Sequence, residues 1–298
     1  MFKTQHTKGI VLIFLSAVMF GSYGVWSRLI GESFGDFYQG WTRGLITVVI
    51  LLPFLLYKKE IISIKREDWG WLFVFLVFTS FTQAPIFYAF THMDIGTASL
   101  LFFSSVLLTM YLVGFLFLGE KLTKGKAVAF VVAVAGLFFT FSFSLVLFTI
   151  LAAGAAILNG IATGGEVSST KKLSGSYSPL YLTWLSWLII IFTNGLISVA
   201  IGETQHAFSF EAVWLWQAGY TLTSIFAFWF VVAGLKYIEA SIGGLVGLLE
   251  VVFSVLFGIL IFQEALTARV IVGAALILFA AALPHIAELR SKPIPTPV

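Results

Sequence analysis

The sequence predicts an all-α polytopic membrane protein: ten transmembrane helices in two inverted five-helix repeats, with both termini cytoplasmic. Three observations carry that expectation: the scarcity of charge, the spacing of the apolar runs, and one internal sequence match. Of 298 residues, 59% are apolar and 10% charged, where an ordinary soluble domain carries roughly 25% charged residues. A compact globule of this size could not coat its surface with so little charge. Soluble enzymes, nucleic-acid binders and disordered chains are excluded on that ground. The chain has no cysteine, which removes disulfide, thiolate-metal and catalytic-thiol chemistry.

A helix needs about 20 apolar residues to cross the hydrocarbon. On that ruler the spans fall near 9–30, 36–57, 69–91, 96–118, 125–143, 146–170, 178–201, 211–235, 240–262 and 266–285. The first run is too long for a signal-peptide core of roughly 7–15 residues and ends at Arg28, so it reads as a retained span. Placing the N-terminus inside gathers 14 of the 17 Lys and Arg on the cytoplasmic side, from Lys3 to Lys292. Arg28 and Arg269 fall outside and Arg43 within span 2. That asymmetry is the positive-inside pattern, and it supports an even span count.

Shifting the chain by 144 aligns Leu112–Thr123 with Leu256–Thr267. Six of the twelve positions are identical, including Gly114/Gly258, Glu120/Glu264 and Thr123/Thr267. Five spans per half is an odd number, so the second half must sit upside down relative to the first. The expected units are 1–143, 144–288 and a cytoplasmic tail, 289–298. Inverted repeats place a solute site near the midplane between the halves, with related gates that open alternately.

A charge inside the membrane is costly and usually has a partner or a task. Arg43 and Glu250 are the deepest. They read either as an ion pair locking the halves, or as a site where Arg43 attracts a carboxylate and Glu250 takes a proton. Glu166 lies about a turn before Lys171 and Lys172. It reads as a side chain snorkelling to the cytoplasmic surface, with a gate or proton site as the alternative. A shift of 138 puts Arg28 in register with Glu166 and Gly21 with Asn159, which places Asn159 in the cavity and Asn194 outside it. Gln83 and Pro85 mark a kink in span 3, whose free carbonyl suits a cavity lining or a bent scaffold helix. His92 and Asp94 read as a solvated turn. Span 6 carries Ala152, Ala156, Gly160, Gly164 and Ser168 at four-residue spacing, a ridge for close helix packing. Trp69, Trp71, Trp184, Trp187, Trp214 and Trp216 read as interfacial belt residues.

No Gly-x-x-x-x-Gly-Lys-Ser/Thr occurs, so nucleotide is not the direct energy source. No paired carboxylates, His-Glu-x-x-His or nucleophile–base set falls inside a span, which argues against an intramembrane enzyme. With two deep charges at most, a charge-ringed channel is disfavoured. The expectations are a small-molecule solute and the bilayer as partners, no nucleic acid, no cofactor or metal, and a monomer or homodimer.

The motifs resemble those of the drug/metabolite transporter superfamily, specifically EamA-type exporters. Phe20-Gly21-Ser22 is similar to the family's Trp-Gly-Ser segment, and Trp41–Leu45 matches its second-span arginine. Tyr88-Ala89-Phe90 through Ala98 and Gly234–Tyr237 through Ala240 match its span junctions. Leu249-Glu250-Val251-Val252-Phe253, followed by Glu264, has the spacing of the Leu-Glu-Pro-Val and Gly-Glu segments, with Val251 where the family has Pro. Span 1 lacks the membrane-embedded Glu of the small four-span multidrug relatives. The resemblance implies efflux of an amino acid, metabolite or drug by alternating access across a cell membrane, the bacterial inner membrane in most members. It also implies a cavity lined by spans 1, 3, 4 and 8, and so adds Tyr23, Trp26, Tyr88, Tyr111 and Trp229 to Arg43, Gln83, Asn159 and Glu250. Proton-independent facilitation or exchange is the alternative of the same fold.

Overall fold

A computed structural model describes residues 2–141, 143 and 149–290. Residues 291–298, most of the expected tail, and 144–148, at the expected boundary between the repeats, lie outside the described residues. The helices are α1 Phe2–Gly21, α2 Tyr23–Ile30, α3 Asp36–Lys58, α4 Trp69–Ser80, α5 Ala84–His92, α6 Ile95–Phe117 and α7 Lys124–Thr140. They continue as α8 Ile150–Leu173, α9 Pro179–Ala200, α10 Ala212–Leu235, α11 Ala240–Gly247, α12 Leu249–Phe262 and α13 Ala268–Arg290. No strand occurs among the described residues. Among the described residues eight helical segments are long and apolar enough to cross a membrane, and Ala268–Pro284 of α13 is a further apolar stretch. The expected fifth span is the 17-residue α7, whose first turn carries Lys124 and Lys126.

Three expected spans are broken. The first divides at Ser22, the third at Phe81–Gln83 and the ninth at Leu248. Pro85 does more than kink span 3: it sits in the first turn of α5, where its missing N–H costs nothing. Span 9 breaks without any proline. Helix starts are fixed by capping side chains: Asp94 accepts from Thr97 N, Thr123 from Lys126 N, Thr149 from Ala152 N and Ser178 from Tyr181 N. Each satisfies one of the four amides a helix leaves unbonded at its start. Asp94 is therefore a cap, and His92 stacks on Tyr88 with ring centroids 4.1 Å apart.

The internal repeat is a repeat of local structure. After α6 and after α12 the chain turns through a left-handed residue, Gly119 (φ +70°) and Gln263 (φ +55°), which are related by the shift of 144. Glu120 N then donates to Gly114 O at 2.9 Å and Glu264 N to Gly258 O at 3.2 Å. Glycine takes that conformation freely and glutamine does not. The turn has kept its shape in both halves although its residue differs.

Helix packing follows the same relation. α1 lies along α10 as α8 lies along α4 and α5, and α6 lies on α8 as α11 and α12 lie on α1. The pairs α3–α9 and α7–α13 map onto themselves. Close approach depends on small residues. A Cβ on Gly160 would fall 2.5 Å from Phe102 O, and one on Gly164 would fall 2.7 Å from Val106 O. The span 6 ridge thus faces α6 and not lipid, as its spacing predicts.

Gly164→Leu forces the backbones of α6 and α8 apart, and overpacking of this kind costs about 1–3 kcal/mol. It should lower the thermal unfolding midpoint in detergent by several degrees. Gly154, with no atom within 4 Å of a built Cβ, is the control: Gly154→Ala should hold or slightly raise the midpoint, by the entropy that alanine saves.

Candidate functional site

A cavity of about 490 Å³ lies between the two halves, lined by residues of α1, α2, α3, α5, α6, α8, α9, α10 and α12. Its walls are largely aromatic and aliphatic, with Phe20, Phe87, Phe90, Phe102 and Phe103 among them. Six of the ten residues expected at the site line it: Tyr23, Arg43, Gln83, Asn159, Glu166 and Glu250. The lining runs from the middle of the molecule toward one side. On α3 it includes Arg43, within two turns of Asp36, and on α6 it includes Ser99, Phe102 and Phe103, all in the first half of the helix; on α8 and α10 it reaches past the middle, to Glu166 and Phe228.

Arg43 is 4% exposed and forms no ion pair with Glu250, so the locking ion pair is set aside. Its guanidinium lies 3.8 Å from the centroid of Tyr220, 5.6 Å from Trp187 and 6.0 Å from Tyr23. Nε donates to Gln39 O at 3.2 Å, whereas Nη1 is buried without a hydrogen-bond partner. Aromatic faces stabilise a desolvated cation. They leave its N–H groups to a carboxylate or phosphate, which guanidinium binds through two parallel bonds. Glu250, in the first turn of α12, also faces the cavity and accepts no hydrogen bond from the described residues.

Glu166 does not snorkel to the surface. It is 5% exposed, lines the cavity, and Oε1 accepts from Thr79 Oγ1 at 2.8 Å and Ser186 Oγ at 2.7 Å. The ridge of small residues around it holds α8 inside the protein, so the chain carries Glu166 inward. Its register partner Arg28 instead pairs with Glu264 at 2.5 Å, both half exposed.

The break in span 3 forms one wall. Asn159 Nδ2 donates to Phe81 O at 3.0 Å, answering a carbonyl freed by the break, while Asn159 Oδ1 is buried and unpartnered. Asn194 Nδ2 donates to Gln83 Oε1 at 2.6 Å and so orients a cavity residue from behind.

Four expected residues lie outside the lining. Trp26 donates to Ser22 Oγ at 3.2 Å and packs where a Cβ on Gly219 would clash with it. Tyr88 is 37% exposed and stacked on His92. The Tyr111 hydroxyl donates to Lys126 O at 3.0 Å, far along α6 from the cavity-lining residues. Trp229 packs edge-on against Phe226 and face-tilted on Phe230. Each sits on a cavity helix but on another face, a distinction that the span alone does not make.

Conversely, Trp187 is no belt residue: it is buried near the middle of α9 and walls the arginine. Tyr220, Ser186 and Thr79 were also missed. The signal available for Trp187 and Tyr220 was depth, since both lie well inside their spans. Thr79 and Ser186 carried none. Among the described residues no three His, Cys, Asp or Glu side chains cluster as for a metal ion.

Glu166→Ala leaves the buried Ser186 hydroxyl without its acceptor, at a cost of about 1–3 kcal/mol, while Thr79 Oγ1 keeps Phe75 O at 2.8 Å. Its unfolding midpoint should fall clearly. Glu166→Gln retains the carbonyl oxygen that both hydroxyls use and should melt within a degree or two of the parent protein.

Among the solved structures similar to this chain is a crystal structure of a protein that superposes with a TM-score of 0.74. It covers 96% of this chain and 99% of its own length at 16% identity, which establishes a shared fold and nothing more. No curated protein matches the chain. The pattern of the EamA-like transporter family matches twice, over residues 7–142 and 150–284, nearly the whole sequence. With its two matching halves, its apolar helices and its central cavity, this chain belongs to the EamA-like transporter family and is a multi-pass membrane transporter of the drug/metabolite superfamily.

Proposed function

We propose that this protein is a secondary transporter that exports a small organic solute by alternating access. On this reading all ten helical segments cross the membrane, α7 and α13 included, and both termini are cytoplasmic. The observation that carries the proposal is the pairing, in one apolar cavity, of an aromatic-walled arginine with an unpartnered N–H and two carboxylates from the opposite half. Such a site suits a solute with an acidic group for Arg43 and an apolar or flat body for the phenylalanines. A basic group on the solute, or a proton, would answer Glu250.

On the orientation suggested by the basic loops, the cavity runs from the middle of the bundle toward the outer side. The inner half is closed by polar contacts, including Lys171 Nζ to the carbonyls of Leu235 at 3.0 Å and Ile238 at 2.5 Å. An outward-facing state of a carrier fits this arrangement. Energy would come from a gradient, with Glu166 and Glu250 as the acidic groups placed to carry protons.

Purified protein should be screened by thermal shift against small carboxylates, amines and zwitterions with aromatic or aliphatic bodies. A solute at about 100 times its Kd adds roughly 2.7 kcal/mol to the native state. Acidic solutes should raise the midpoint, and Arg43→Ala should abolish that rise while the protein still folds. Loss of folded Arg43→Ala protein, with no acid stabilising the parent, would speak for a purely structural arginine. In proteoliposomes a hit should cross the bilayer faster under an imposed pH gradient. A rate indifferent to the gradient would assign facilitation or exchange, and unitary currents in planar bilayers would overturn the carrier reading.

A further inference from the structure

The two halves are alike in local structure but not in what their repeated glutamates hold. Glu120, 7% exposed, reaches across the boundary between the halves to the start of α11. It accepts from the amides of Ala240 and Ser241 and from Ser241 Oγ at 2.6 Å. Beside it Lys126 pairs with Glu239 at 2.5 Å. The shift of 144 relates Glu120 to Glu264, and Ala240–Ser241 to Gly96–Thr97 at the start of α6. At that second end Glu264 is turned to Arg28, 43% exposed, while α6 is capped by its own Asp94.

The helix crossings differ in the same sense. Where Glu120 holds α11, a Cβ on Gly244 would lie 3.1 Å from Met110 Sδ and 3.2 Å from Leu107 Cδ1, so α6 and α11 touch. The related positions are Leu100, Ser254 and Val251. Of these Ser254 and Val251 line the cavity, as does Ser99, the counterpart of Gly243. One crossing is closed, and its two-fold partner is held apart by the cavity itself.

We propose that Glu120 and Glu264 are reciprocal latches that position the two gates. Glu120 caps α11 and holds the inner crossing shut in the state described here. In the opposite state Glu120 lets go, Glu264 leaves Arg28, and its carboxylate displaces Asp94 from the Thr97 amide and takes the first-turn amides of α6 as that crossing closes. Arg28 is then the parking place of the idle latch. A carboxylate at a helix N-terminus gains both hydrogen bonds and the favourable end of the helix dipole. The exchange therefore gives up the Glu120 cap on α11 and replaces the Asp94 cap on α6 with a carboxylate from the other half of the chain. The inference rests on the alternating-access reading above.

The absence of native cysteine makes the test direct. Built Cβ of residue 244 lies 3.5 Å from Met110 Cβ, within disulfide range, so Met110→Cys/Gly244→Cys reports the present state. The shift assigns Leu100→Cys/Ser254→Cys to the opposite state. Crosslinking rates of both pairs should be followed in proteoliposomes with a mild oxidant. Glu264→Ala should slow the second pair about fivefold, the scale of a lost cap, and leave the first unchanged or faster. Arg28→Ala should speed the second pair, and Glu120→Ala should speed the second and slow the first. A merely structural carboxylate would not move the two pairs in opposite directions. If the second pair forms at a rate indifferent to Glu264 and Arg28, the latch is wrong and alternating access stands. If the second pair never forms while the first does, both readings fall.

Discussion

Hydrocarbon offers no hydrogen bond to a backbone amide or carbonyl, and the rest of this architecture depends on that constraint. Wherever a helix stops or breaks inside the protein, a side chain must answer the groups it frees. Asn159 answers Phe81 O at the break of span 3, Lys171 answers Leu235 O and Ile238 O after α10, and Glu120 answers the first amides of α11. The break of span 3 stands at the cavity, which Thr82 and Gln83 help to line, and there irregular backbone is sheltered from lipid.

The same constraint explains why the cavity can hold charge. Arg43 is kept by three rings and one carbonyl and not by a counterion, and Glu166 by two hydroxyls. Neither arrangement neutralises the group it holds. The site keeps separated, incompletely satisfied charges in a low-dielectric space, where a ligand's own charges interact far more strongly than in water.

Much of this was legible in the residues. Apolar runs located the helices, and the match of Gly114/Glu120 with Gly258/Glu264 located a real repeat of backbone turns. Arg43 and Glu250 stood out because deep charge is expensive. What the chain alone could not give was the face of each helix. Trp26 and Tyr23 lie within one turn of each other, yet only Tyr23 meets the cavity. Glu166 looked like a surface residue because it precedes two lysines, and only the packing of the small-residue ridge against α6 turns it inward. Thr79 and Ser186 are unremarkable in sequence since their role exists only across helices. The 17-residue length of α7 likewise blurred the span count, with eight clear spans among the described residues where the apolar runs suggested ten.

The 17 residues of α7 carry a consequence for the membrane itself. At 1.5 Å per residue the helix is about 26 Å long, short of a hydrocarbon layer roughly 30 Å thick. It packs chiefly along α13. On the ten-span reading proposed above, lipid along that edge would thin, or its headgroups would dip toward Lys124, to avoid stranding polar backbone in oil. The protein would then carry a permanent dent in the bilayer on one flank, and its neighbours in the membrane, lipid or protein, would be sorted by how well they tolerate it.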